Sequence, residues 1–305
     1  MARRLADGDS RQGDHHEGGF AWLALHAAQR TSRAAFIFLL LLLLLLLSTP
    51  RAWAQQQGSD FINYAYATWI GTGRYDVADR TVTILRAPIA IPLAYPKEKK
   101  WDMKILLPVT LGRTDFDFAL SDIETLDTIT FIPGVEFRVP ILENWDLKPF
   151  VQAGIGKDFQ GGDLAYIYGG GLKSLATFPW KKFIFGLGNR LMAAGQTIKD
   201  GGSDNGFSLF EVGFDVLLPM RTKTKRGRLS YSVFFIQTQF QNKVDFPDPI
   251  FPDTELSRLS QIGFTVGFEK HEFSFWKFDL PRVGLSYMDG DAGFSGVRIN
   301  AGFPF

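Results

Sequence analysis

The sequence predicts an all-β fold: a closed antiparallel transmembrane β-barrel of about 12 strands, preceded by a cleaved signal peptide. Three observations point there. An export leader opens the chain, a two-residue apolar alternation recurs from residue 61 to Phe305, and four tryptophans fall on one side of the strand count.

The leader comes first. Arg30 and Arg33 precede Ala34 to Phe38 and then nine leucines, Leu39 to Leu47; Arg51-Ala52-Trp53-Ala54 follows. A basic segment, an apolar run and an Ala-x-Ala site make a secretory signal. A spanning anchor helix needs roughly 20 apolar residues, more than this run supplies. Residues 1–54 therefore read as a signal peptide with a long basic segment, 55–60 as a short periplasmic lead, and 61–305 as the barrel.

The mature chain keeps 27 of the 33 basic and 28 of the 32 acidic residues, a net charge of −1. That balance gives no electrostatic footing for nucleic acid. The chain has no cysteine, so an exported domain of this length must draw its stability from buried area and hydrogen bonds.

The alternation sets the elements in order. Strands are expected near 61–71, 81–93, 101–112, 128–141, 145–156, 163–174, 180–192, 206–219, 228–240, 260–269, 279–288 and 295–305. Trp101, Met103, Ile105, Leu107, Val109 and Leu111 alternate with polar neighbours, as do Ile262, Phe264, Val266 and Phe268. Such a strand has one apolar and one polar face. Phe264 and Val266 should meet lipid, and Thr265 and Gly267 the lumen. Pro88, Pro133 and Pro149 cannot donate to a ladder, so breaks or bulges are expected there. Phe234 and Phe235 interrupt the alternation of the ninth strand.

Connections alternate too. Gly73 to Arg80, Arg113 to Asp127, Ala194 to Asn205 and Asn242 to Arg258 are longer and polar, and those on the other side are short and basic. That asymmetry places long loops outside and both termini in the periplasm. Trp101, Trp145, Trp180 and Trp276 then share one membrane surface as an interfacial girdle.

In lipid every backbone polar group needs a partner, so the last strand must pair with the first. On this reading Val297, Ile299, Ala301, Phe303 and Phe305 face lipid, and Arg298 and Asn300 face the lumen.

"FIPGVEFRVP" (131–140), "WDLKPFVQAGIG" (145–156), "AYIYGGGLKS" (165–174) and the closing "RVGLSY" with "GVRINAGFPF" resemble the solitary outer-membrane autotransporter-type β-barrel family of Gram-negative bacteria. The resemblance implies a twelve-stranded, translocator-like barrel without a passenger and without catalytic residues. It also makes Phe303 and Phe305 a C-terminal assembly signal. It implies partners in outer-membrane lipid, lipopolysaccharide and the secretion and barrel-assembly machinery. Only 55–60 would precede the first strand, too short for a passenger or a helix threading the lumen.

No catalytic, cofactor or metal site is expected. The one mature histidine, His271, and Ser274 would point to opposite faces of a strand. One histidine without cysteine makes a poor zinc site. Glycines such as those of "YGGGLKS" do not follow phosphate-loop grammar.

By parity, Arg86, Glu136, Arg138, Asp146, Lys148, Lys173, Arg190, Glu211, Asp215, Glu269, Arg282 and Arg298 point inward. Mixed signs favour an ion-pair network that constricts the lumen, with Glu136 and Glu211 each on an arginine, over a one-sign selectivity ring. The reading is a monomeric, non-enzymatic barrel. Its alternatives are a narrow diffusion channel and a surface-binding protein acting through the proline-stiffened tip "FPDPIFPD" (246–253).

Overall fold

The computed structural model describes residues 64–77, 80–93, 101–116, 126–159, 164–199, 205–224, 227–245, 255–268, 273–275, 278–280, 282–291 and 293–305. All lie in the second of two compact units, Trp53–Phe305. The expected signal peptide, the lead, His271, Trp276, Glu269 and the 246–253 tip lie outside these residues.

Among the described residues one helix, α1 (Tyr64–Ile70), is followed by β1 (Gly73–Val77), β2 (Arg80–Ala87), β3 (Ala90–Leu93), β4 (Asp102–Leu106), β5 (Val109–Phe116), β6 (Leu126–Phe131), β7 (Gly134–Leu142) and β8 (Trp145–Asp158). Then come β9 (Leu164–Trp180), β10 (Phe183–Ile198), β11 (Asn205–Thr224), β12 (Gly227–Asp245), β13 (Glu255–Phe268), a small hairpin β14 (Phe273–Phe275) and β15 (Phe278–Leu280), β16 (Arg282–Gly290) and β17 (Ser295–Asn300).

The large sheet is a closed antiparallel barrel of twelve walls. Three walls are interrupted in the middle. β2 and β3 are separated at Pro88, β4 and β5 at Pro108, and β6 and β7 at Pro133. Each proline removes a ladder donor, so the ladder restarts beyond it. The breaks stay tied by single backbone bonds: Leu107 N–H donates to Ile89 O (2.8 Å) and Ala153 N–H to Pro133 O (3.0 Å). Pro149, in contrast, stays inside β8 opposite Leu172.

The alternation reads through to the two barrel faces. Leu85, Phe214, Val233, Ile262, Phe264 and Ile299 stand exposed on the outside. Thr130, Gln152, Ser232, Thr265, Ser286 and Asn300 are buried inside. Phe264 is 51% exposed and Thr265 0%, which agrees with the expected facing. Phe234 and Phe235 do not break the pattern: Phe234 is buried inward and Phe235 exposed outward.

The closing seam joins β17 to β1, from Gly73↔Arg298 to Asp76↔Ser295. It corrects the expectation for the first strand. Residues 64–70 are helical, and the first strand is Gly73–Val77, where a loop was expected. Over "YAYATWI" a two-residue and a 3.6-residue period look alike, because every face of the segment is covered. Ala65, Tyr66, Thr68, Trp69 and Ile70 are all buried.

The last strand is also shorter than expected, ending at Asn300. Gly302, with φ +101°, turns the chain, and Phe303 and Phe305 face inward instead of lipid. Phe305 is 6% exposed.

Candidate functional site

The lumen collects every inward group, and α1 decides its shape. Seven residues are too few for a helix to hold in water. Here the barrel wall supports it. The Ala65 N–H, an orphan donor of the first turn, donates to Gln196 Oε1 at 2.9 Å. Thr68 Oγ1 and Thr130 Oγ1 are 3.3 Å apart and share a hydrogen bond. The helix ends at Gly71, whose φ of +99° is the left-handed stop that favours glycine. A Cβ there would also lie 2.8 Å from Arg298 Nε. The Tyr75 hydroxyl then donates to Gly71 O (3.2 Å), next to the last helical carbonyl.

Packing around the helix is aromatic. The Tyr66 ring meets Phe207 and Phe240 edge-on, with centroids 5.8 and 5.7 Å away. Trp69 packs on Phe150 at 5.7 Å. Met192, Ile198, Leu209, Leu256, Leu259, Met288 and Phe294 complete one buried cluster with the helix. Ala65 sits by Gln196, close to the end of β10, so the helix starts near the barrel end opposite Phe305 and runs inward.

A second, smaller cluster closes in from the C-terminal end. Phe305 packs with Phe234 and Ile236, backed by Leu175 and Phe303. Its ring occupies the room left by Gly188 and Gly213; a Cβ on Gly213 would lie 2.6 Å from it. Lys148 Nζ donates to Phe305 O at 2.9 Å.

Between the helix and this tail lies a cavity of about 440 Å³. Trp69, Gly71 and Phe150 bound it on one side and Ala301, Gly302 and Pro304 on another. Arg86, Lys104, Lys173, Arg190 and Arg298 line it, with Glu136 the only carboxylate among the described lining residues.

The expected charge network is therefore present in part. Glu136 engages Lys173 (2.8 Å), a lysine and not the expected arginine. Glu211 engages Arg190 with N–O 2.6 Å, as expected, although Arg190 Nε is not aligned for a hydrogen bond. Arg138 contacts Asp146 (2.9 Å) and Asp102 (3.8 Å) and is half exposed. Arg282 donates instead to hydroxyls: Nε to Thr265 Oγ1 and Nη1 to Ser230 Oγ, both 2.7 Å. Asp215 is buried, and Ser232 hydrogen-bonds it. Arg86 lies over the Trp69 ring at 5.7 Å. Neither Arg86 Nε nor Arg298 Nε has a hydrogen-bond partner.

These positions change the expected means of constriction. Ion pairs contribute, but the helix with its apolar cluster and the Phe303–Phe305 tail also project into the lumen. Sequence reading placed Tyr66 and Trp69 on a strand and so missed them. The cue available was Gly71, a helix-stop residue directly after an aromatic run.

Three of the four tryptophans lie at one end of the barrel. Trp101 directly precedes β4, Trp145 opens β8 and Trp180 closes β9 instead of opening a strand. Trp145 Nε1–H donates to Ser174 Oγ at 2.7 Å. Trp180 is 57% exposed, and Lys181 Nζ lies 5.1 Å from its ring centroid.

No family model matches the chain, and no curated protein matches it in sequence. Among solved structures it is similar to the β domain of the Bordetella autotransporter BrkA, at 10% identity and a TM-score of 0.44, covering 74% of this chain and 95% of that one. It is also similar to the NanC porin, at 10% identity and a TM-score of 0.35, covering 75% and 97%. At these values the likeness carries no functional inference.

Proposed function

We propose that the chain is an integral outer-membrane β-barrel of a Gram-negative bacterium, a translocator-like barrel at rest with its lumen closed. The membrane reading is supported by the outward belt of exposed apolar side chains. A monomer in water would not leave Leu85, Phe214, Val233, Ile262, Phe264 and Ile299 uncovered around its circumference. Lipid is the solvent that suits them. The C-terminal end carries Trp101, Trp145 and Trp180, which serve as an interfacial girdle on the periplasmic side.

One observation carries the closed state: α1 lies inside the barrel with Ala65, Tyr66, Trp69 and Ile70 each no more than 7% exposed. A segment that fills the bore leaves no continuous water path beside it. The barrel acts as a stable scaffold with no catalytic part.

Single-channel recording in planar bilayers tests this. The wild type should show little or no steady conductance. A large, steady conductance would overturn the closed reading and favour a narrow diffusion channel.

A further inference from the structure

We propose that the cavity between α1 and the C-terminal tail is a binding site for a small multivalent oxyanion of the phosphate type. Five cations line it: Arg86, Lys104, Lys173, Arg190 and Arg298. The nearby carboxylates are already engaged, Glu136 by Lys173 and Glu211 by Arg190. Lys104 stands opposite Glu136 in the β4–β7 register, but that carboxylate contacts Lys173. Arg86, Lys104 and Arg298 therefore face the cavity without an ion-pair partner among the described residues.

Clustered cations repel one another, and Arg86 and Arg298, each with a buried Nε, also lose hydration, while Lys104 is exposed; such a cluster is destabilising unless an anion joins it. The two arginines are also held in place. Trp69 stacks on Arg86, and Gly71 gives Arg298 room to lie across the helix terminus. Each has an Nε that solvent does not reach, so an anion in the cavity would meet the terminal guanidinium nitrogens. A fixed guanidinium fork suits the paired oxygens of a phosphate or carboxylate. The main-chain oxygen of Phe305 accepts from Lys148. The cavity is ample for phosphate, and it also reaches Val283 and Ile299 of the outer face.

Calorimetric titration of the detergent-refolded barrel with inorganic phosphate, at ionic strength matched by chloride, tests the site. The wild type should bind saturably at one site, and phosphate should raise its melting temperature above that in chloride. R86Q/R298Q should bind at least tenfold more weakly. K104Q should weaken binding severalfold, and K157Q, whose lysine is exposed on β8 away from the cavity, should bind like wild type. Heat-modifiable migration on gels confirms folding, and K104Q decides the matter should the double variant not fold. Absence of saturable phosphate binding by the wild type, or undiminished binding by the folded cavity variants, would overturn the proposal.

Discussion

Lys148 reaches across 157 positions of sequence to hold the main-chain oxygen of Phe305 at 2.9 Å. The contact fixes the tail inside the barrel, where the Phe305 ring fits between Gly188 and Gly213. Strand parity alone would point that ring at lipid. The reversal has a local cause: the last wall ends at Asn300, and Gly302 adopts a positive φ that redirects the remaining residues.

Removing the ring should loosen the packing around the tail. Phe305→Ala is expected to cost about 3 kcal/mol, the lower end of what large-to-small core changes cost, measured by urea unfolding in detergent. Gly188→Val should lower stability as well, since its side chain would enter the space of the ring. A Gly188→Val barrel as stable as wild type would mean the tail does not dock there.

The same residue was expected to serve assembly, and the two roles separate. Phe305→Asp should leave protein in the periplasm to be degraded if the terminal phenylalanine is read during insertion. Gly188→Val keeps that phenylalanine and only blocks its seat, so it should reach the membrane in near-normal amount. Normal membrane levels of Phe305→Asp would refute the assembly role.

The outward belt can be tested at two registered neighbours, Phe264 and Leu285. Both are exposed, at 51% and 45%. Phe264→Arg or Leu285→Arg should each cost about 2–4 kcal/mol in lipid if it lies near the bilayer midplane. Ala90, which lines the lumen cavity, gives the inward control, and Ala90→Glu, which adds an anion beside the lining cations, should be tolerated. Thr265 would be a poor control: it is fully buried and bonded to Ser232 and Arg282. Losses from Leu285→Arg no larger than those from Ala90→Glu would show that the belt does not face lipid.

That contrast also shows what was legible from sequence. Period-two patterning exposes which residues share a face, so Phe264, Thr265, Val297 and Arg298 could be sorted without a structure. Partners within the lumen are set by the register and reach between nearby walls, which strand parity does not encode. Glu136 was thus assigned an arginine and took Lys173. The helix escaped notice for a related reason. A segment covered on all sides has no polar face, and seven residues hold barely two turns of periodicity.

At the loop between β16 and β17, Asp291 clamps the neighbouring wall. Its carboxylate accepts the Ser257 N–H at 2.8 Å and the Arg258 N–H at 3.0 Å, and the Ser257 hydroxyl as well. Burial works to raise the Asp291 carboxyl, but these hydrogen bonds outweigh it and hold it below the usual carboxylate value. A depressed folded-state pKa stabilises the fold above the unfolded value, near 4, and the contribution is lost as pH falls through the folded value. Asp291→Asn should therefore lower the melting temperature at pH 7 and make no difference at the acid end of that range. A wild-type minus variant difference that stays constant with pH would refute the clamp.

The lumen helix sets the last expectation. Tyr66 and Trp69 are its two large anchors, one in the Phe207–Phe240 cluster and the other against Phe150. Truncating a buried aromatic costs about 3–5 kcal/mol where the site cannot collapse. A rigid barrel wall collapses little, so most of that loss should fall on the helix and not on the sheet. Tyr66→Ala/Trp69→Ala should keep heat-modifiable migration while the helix leaves its seat for part of the time. Gly169→Val reaches the same end from the wall, because a Cβ there would approach Trp69 Cζ2 to 3.0 Å. Both variants should pass intermittent current in bilayers where the wild type is silent. Folded variants as silent as wild type would mean that the helix does not gate the bore and that the Phe303–Phe305 tail alone closes it.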